Sequence, residues 1–223
     1  MSLFPGNPYP GRGLAVGLND SGREVIVLYW LMGRSPSSKA RRLVAEDDRI
    51  VVKPTGTPDR THPDLIYYPA FARVGRCFVV SNGDQTDTLV EGLASGKQFR
   101  EVLGGRMHEP DAPHYTSRIS ALVDMVALGP LFHLSRLRAV HGDPEHSWHE
   151  VFEIDDCAAG EGYALHTYAG DGEPLPAAEG DPLRLPLHGD LDAIAEAMWR
   201  ELPDPFRVAL VAVSIDRTTL AID

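Results

Sequence analysis

The chain has 223 residues, with 21 lysines and arginines against 32 aspartates and glutamates, a formal charge of −11 at neutral pH. That length supports one sizeable core or at most two small ones, and the acidic balance argues against a nucleic-acid backbone as the main partner, because phosphate binding needs a basic face. No apolar run approaches the roughly 20 residues of a membrane-spanning helix, and Met1-Ser2-Leu3-Phe4-Pro5-Gly6 lacks the basic and apolar regions of a signal peptide, so the expectation is a cytoplasmic protein without a membrane partner.

Asn7-Pro8-Tyr9-Pro10-Gly11-Arg12-Gly13 leads straight into the first strand, and its glycines let the backbone approach another element or a ligand closely. It is not a phosphate loop, since the glycine spacing and the Lys-Ser/Thr end of that motif are missing. Leu14-Ala15-Val16-Gly17 and Val25-Ile26-Val27-Leu28-Tyr29-Trp30, separated by Asn19-Asp20-Ser21-Gly22, predict a hairpin. Gly33-Arg34-Ser35-Pro36-Ser37-Ser38-Lys39, followed by Arg41-Arg42, reads either as an anion site, with a guanidinium gripping phosphate among hydroxyls, or as a solvated basic loop.

Further strands are expected around Ile50-Val51-Val52 and Cys77-Phe78-Val79-Val80. Between them Pro54, Pro58, Pro63 and Pro69 make a loop-rich region, with Leu65-Ile66-Tyr67-Tyr68 as a short edge strand. Ser81-Asn82-Gly83-Asp84-Gln85-Thr86-Asp87-Thr88 then joins a strand to a helical pattern. The octet reads as a turn plus a helix cap, or as a site whose oxygens and free N–H groups orient a polar small molecule.

Leu89, Val90, Leu93, Phe99, Val102 and Leu103 predict two short helices broken near Ser95-Gly96. Residues 119–127, 131–140, 151–154 and 163–168 read as strands, with a break at Gly129-Pro130. Residues 169–186, rich in glycine, proline and acidic side chains, read as a surface excursion. Asp190 caps a helix with the apolar face Leu191, Ile194, Ala195, Met198 and Leu202, ended by Pro203 and Pro205. The final run Val208-Ala209-Leu210-Val211-Ala212-Val213 reads as a strand buried on both faces. Two groups of strands, each followed by helical material, predict a single α+β domain over residues 1–223, two sheets packed together with helices outside.

Tyr68 and Arg118 each adjoin a predicted strand, where a phenol near a guanidinium can donate to a developing oxyanion, although adjacent tyrosines such as Tyr67 and Tyr68 also simply pack. Glu109 and Asp111 are the candidate general bases, with solvated loop carboxylates as the plainer reading. The two cysteines, Cys77 and Cys157, cannot build a disulfide framework and read as packing residues. His141, His146 and His149 do not match the helical two-histidine zinc spacing, so no metal site is expected. No Gly-x-Ser-x-Gly elbow is present.

Taken in order, these segments resemble the archaeal-type IMP cyclohydrolase family. The resemblance is carried by Tyr9-Pro10-Gly11-Arg12-Gly13-Leu14-Ala15-Val16-Gly17, Gly33-Arg34-Ser35, Tyr67-Tyr68 before Arg73-Val74-Gly75, the octet with its preceding Val80, and Thr116-Ser117-Arg118-Ile119. It implies a four-layer αββα sandwich like that of the N-terminal-nucleophile hydrolases, without self-processing. It also implies closure of a formamido-imidazole-carboxamide ribonucleotide, a purine precursor, to inosine monophosphate and water, with no cofactor or metal.

By carry-over, Arg34 and Tyr68 orient the substrate and stabilise the oxygen, and Glu109 takes the amide proton, with Asp111 the competing choice. Arg12, Ser35, Asn82, Gly83, Asp84, Thr86, Asp87 and Arg118 would line the substrate. Asp84 and Gln85 stand where the resemblance leads one to expect a serine and a histidine, which places a carboxylate near an anionic substrate. The alternative readings are a diverged nucleotide-binding protein without catalysis, which Asp84 motivates, and an amide hydrolase on the same scaffold. Oligomeric state and the role of residues 141–186 are left open, with a homo-oligomer the base-rate expectation.

Overall fold

The computed structural model describes residues 2–56, 67–126, 129 and 131–223. The predicted hairpin is β1 (Gly13–Leu18) and β2 (Glu24–Met32). Its turn closes with Gly22 at φ +66°, the Gly22 N–H donating to the Asn19 carbonyl at 2.9 Å. Along β2 the period-two alternation is complete. Val25, Val27, Tyr29 and Leu31 enter one core, whereas Ile26, Leu28, Trp30 and Met32 enter another on the opposite face.

These two strands form the centre of a five-stranded antiparallel sheet with β10 (Glu161–His166), β11 (Leu183–Pro186) and β12 (Arg207–Asp216), in the order β11-β10-β1-β2-β12. A second, seven-stranded antiparallel sheet runs in chain order. Its members are β3 (Arg41–Glu46), β4 (Arg49–Pro54), β5 (Tyr68–Val74), β6 (Cys77–Ser81), β7 (Arg118–Asp124), β8 (Phe132–Ala139) and β9 (Ser147–Ile154).

The largest core lies between the sheets, where Leu14, Val27 and Leu31 of the first meet Val52, Ala70, Phe78, Ile119 and Phe132 of the second. Four α-helices complete the mixed α/β architecture of the described residues. The single-turn α1 is Pro36–Lys39, and α2 (Gln85–Ala94) and α3 (Phe99–Leu103) pack Leu89, Phe99 and Leu103 against Val79 and Leu122 of the larger sheet. On the smaller sheet α4 (Leu191–Glu201) packs Ile194 and Met198 over Leu28 and Trp30. Asp190 caps α4 as expected, its carboxylate accepting the Ala193 N–H at 2.8 Å.

Several expectations change. Arg41-Arg42 is not loop but the start of β3, an edge strand whose apolar content is too short to stand out. Tyr68 opens β5, an interior strand between β4 and β6, rather than ending an edge strand; Leu65 and Ile66, like Ala127 and Pro130, lie outside the described residues. β9 begins at Ser147, so His149 sits on a strand. The run from Val208 to Val213 is half-exposed for most of its length, because β12 is an edge strand paired only to β2. Residues 169–186 are not all surface, since Leu175 and Ala178 are buried and Leu183–Pro186 is β11.

Candidate functional site

Arg12 stands at the entrance to β1, where Gly11 at φ +72° brings the backbone against Thr167 and Tyr168 so closely that a Cβ there would lie 2.2 Å from the Thr167 hydroxyl. This delivers the Arg12 guanidinium into the interior between the sheets. It donates to the Asn82 carbonyl at 2.7 Å and to Glu109 Oε2 at 2.5 Å, and both ion partners are buried. Glu109, in the loop between α3 and β7, is 1 % exposed. It is therefore not the solvated loop carboxylate of the plainer reading.

Among the described residues no donor reaches Glu109 Oε1. An ionised carboxylate is acceptor-only, so this buried oxygen has a lone pair facing the interior with nothing on it. Burial pushes the Glu109 pKa up, against the opposing pull of Arg12 and Arg118, and a group poised this way is suited to accept a proton. The competing carboxylate is used up in holding its own loop. Asp111 accepts the Thr116 N–H at 2.7 Å and the Thr116 hydroxyl. His108 anchors the same loop to β9 through Ser147 at 2.7 Å, and the Glu109 N–H donates to the Thr116 carbonyl at 2.8 Å.

The octet divides its labour. Asn82 is buried with its amide spent on scaffold: it donates to the Ser117 carbonyl at 2.9 Å and accepts from the Ile119 N–H and the Gln85 amide, both at 2.9 Å. Its side chain ties the end of β6 to β7. Thr86 bonds Ser81 inside the helix entrance, and Asp87 turns outward to Arg49 at 2.6 Å, so neither joins the cluster.

Gly83 does join it. A Cβ there would lie 2.8 Å from Arg118 Nη1 and 3.3 Å from Glu109 Oε1, so only a glycine keeps that approach open. Asp84, the N-cap residue of α2, makes no capping bond because its two oxygens are drawn to Arg106 and Arg118, each at 2.5 Å. Burial raises its pKa, but the two guanidiniums outweigh burial and hold the carboxyl below its usual range. The carboxylate that departs from the expected pattern is thus neutralised within the protein.

Tyr68 is 1 % exposed, with its hydroxyl 2.8 Å from that of Tyr29 on the facing sheet. Burial raises the Tyr29 pKa well above the usual tyrosine range, against the opposing pull of the Arg12 guanidinium. Tyr67 beside it is exposed. Sequence reasoning missed Tyr29 and Arg106. A hydroxyl on the otherwise aliphatic face of Val25, Val27 and Leu31 is the available signal for Tyr29, because a buried phenol needs a partner.

Arg34 and Ser35 are elsewhere, on a neighbouring cleft of about 660 Å³ that they share with Tyr9, Arg41, His114 and Tyr168. Neither Tyr68 nor Asn82 lines that cleft. Arg34 is held there by Asp171 at 2.6 Å, the Gly172 carbonyl at 3.1 Å and Glu173 at 3.5 Å, with its guanidinium over the Tyr9 ring. The partition between cleft and buried cluster is thin. Tyr168, stacked on Tyr9, shares a hydrogen bond of 2.5 Å with the Thr116 hydroxyl, and Thr116 in turn holds Glu109 through its carbonyl. Residues 141–186 contribute Tyr168 and Leu175 to the lining of the cleft and Asp171 to the hold on Arg34.

The chain matches the model of the IMP cyclohydrolase-like protein family over residues 9–219. It belongs to that family. Among relatives of this IMP cyclohydrolase-like chain, the IMP cyclohydrolase of Methanopyrus kandleri is 31 % identical over 163 residues, 72 % of this chain and 75 % of that protein. The IMP cyclohydrolase of Methanocaldococcus jannaschii is 30 % identical over 119 residues, 52 % of this chain and 57 % of that protein. The matched family span includes every cluster and cleft residue described above. Among the described residues no three His, Cys, Asp or Glu side chains converge on a metal-sized site, and His146 instead pairs with Asp143 at 2.8 Å. No described helix is long and apolar enough to cross a membrane.

Proposed function

We propose that this chain closes the six-membered ring of 5-formamidoimidazole-4-carboxamide ribonucleotide, giving IMP and water. The observation that carries the proposal is the buried Glu109, paired to Arg12 through one oxygen and open at the other, in a chain whose named relatives are IMP cyclohydrolases.

Ring closure forms one bond, from the carboxamide nitrogen to the formyl carbon, and expels the formyl oxygen as water. Both protons that leave with the oxygen come from nitrogen, one from the carboxamide and one from the formamido N–H. The site must therefore take protons off nitrogen and give them to oxygen, and holding the two groups close supplies much of the acceleration. Glu109 Oε1 is the acceptor and the Tyr68 phenol the donor to oxygen. Arg12 keeps Glu109 in place and is a positioning residue, not a substrate contact.

Arg34, with Ser35 and Arg41 beside it, takes the phosphate end in the cleft, where a guanidinium exchanges the Asp171 carboxylate for a phosphate oxygen. The imidazole end then reaches the Glu109 side past Tyr168 and Thr116. Arg118 and Asp84 brace Gly83 at the inner end.

The helices on the outer faces of two packed sheets support the αββα layering of the N-terminal-nucleophile hydrolases. A cytoplasmic single-domain enzyme without a nucleic-acid partner completes the reading. The test is turnover: purified protein, treated with chelator, converts the formylated ribonucleotide to IMP as followed by absorbance. No turnover over a wide substrate range overturns the assignment, and calorimetric binding without turnover would identify a diverged binding protein.

A further inference from the structure

We infer that Tyr29 is a positioning residue for ring closure, its hydroxyl fixing the Tyr68 phenol so that the Tyr68 proton points at the departing oxygen. The inference rests on the ring-closing reading above. It starts from hydrogen-bond counting. Each phenol has one proton to give, and the two hydroxyls share one bond of 2.8 Å, so one proton is left over. Among the described residues no other partner is recorded for either oxygen, and both side chains are 1 % exposed, so water does not take that proton freely.

The two phenols differ in position. Tyr29 lies in the middle of β2, with Val27 and Leu31 beside it on the same face and the sheet core all round. Tyr68 is the first residue of β5, at the end of its strand. If the Tyr68 proton goes to substrate, as the ring-closing reading requires, the shared bond must run from the Tyr29 hydroxyl to the Tyr68 oxygen. Burial and the neighbouring Tyr68 raise the Tyr29 pKa well above the usual tyrosine range, so Tyr29 keeps its proton. Packing alone would not call for the Tyr29 oxygen, because a phenylalanine fills the same place among aliphatic neighbours.

The arrangement also crosses the molecule: Tyr29 and Arg12 come from the five-stranded sheet, and Tyr68 from the seven-stranded one. A bond between strands of different sheets fixes the phenol against rotation about its C–O bond in a way its own strand cannot. The effect falls on the chemical step, since Tyr29 touches no substrate.

The experiment is a double-mutant cycle in the full chain, with Tyr29→Phe, Tyr68→Phe and the pair, each checked by circular dichroism and thermal melting. Tyr29→Phe is expected to lower kcat about tenfold, the loss of one ordinary hydrogen bond's worth of orientation, while KM changes less than about twofold. In the Tyr68→Phe background the same change is expected to have no further effect, because Tyr29 acts only through Tyr68. Wild-type kcat in Tyr29→Phe, or losses that multiply in the pair, overturns the inference. A Tyr68→Phe variant with full activity overturns the assignment of Tyr68 itself, so the two failures are told apart. If Tyr29→Phe melts early, its kcat is read well below its melting transition, and wild-type kcat there overturns the inference equally.

Discussion

The buried cluster and the open cleft place their charges in opposite ways. Arg12 and Glu109 meet between two sheets, each fixed by backbone that cannot shift without opening the core. Arg34 is half-exposed and held by a carboxylate, a carbonyl and a second carboxylate from one surface loop, all of which can let go. The difference separates a place built to do chemistry at fixed geometry from one built to exchange partners. A preorganised acceptor must not relax, whereas a phosphate grip must release its resident carboxylate before it can hold anything.

The largest expected effect belongs to the cluster. Glu109→Gln removes the proton acceptor and lowers kcat by about 10²–10⁴-fold with KM little changed, measured by steady-state turnover on protein of native circular dichroism. Because burial places the folded Glu109 pKa above the ordinary 4.5, kcat of the intact protein falls as pH drops through that raised value, and the Gln variant loses this limb. Because burial outweighs the pull of Arg12, the stability linkage has the opposite sign from that of a carboxyl with a depressed pKa. Ionised Glu109 detracts from native stability at neutral pH, and the penalty is relieved as pH falls through the raised pKa towards 4.5.

Next is Arg12→Met, which strands Glu109 without a partner and destabilises the fold by about 3–5 kcal/mol in urea unfolding. Equal loss of stability and activity in Arg34→Ala would break the comparison. That variant is expected instead to keep its unfolding midpoint and raise KM about tenfold, as for one charge-assisted contact. Smallest is Asp171→Asn, which frees Arg34 of its competitor and lowers KM by less than about threefold, read from the same assay, because the pair is solvent-exposed and weak.

Local patterns were legible in the sequence and cross-chain partners were not. The β1–β2 hairpin, the break between α2 and α3 and the Asp190-capped α4 follow from turn residues, apolar periodicity and capping, all within a few positions of one another. β3 was missed because Arg41, Arg42 and Glu46 leave only three apolar residues on a half-exposed edge. The start of β9 was missed because Trp148, His149 and Glu150 carry no clear alternation.

Glu109 and Tyr68 were found, but their surroundings were not. Burial of Glu109 depends on Arg12, 97 positions earlier, and the phenol bound by Tyr68 lies 39 positions back on the other sheet. Nor could the octet announce that the Asn82 side chain ties β6 to β7. The same oxygens that would orient a ligand are the ones that tie two strands together, and only coordinates distinguish the two.

Because the smaller sheet contributes Arg12 and Tyr29 while the larger contributes Tyr68 and carries the Glu109 loop, neither half holds a working assembly by itself. Activity thus reports on docking of the halves, and should vanish during mild denaturation while most ladder hydrogen bonds within each half still stand.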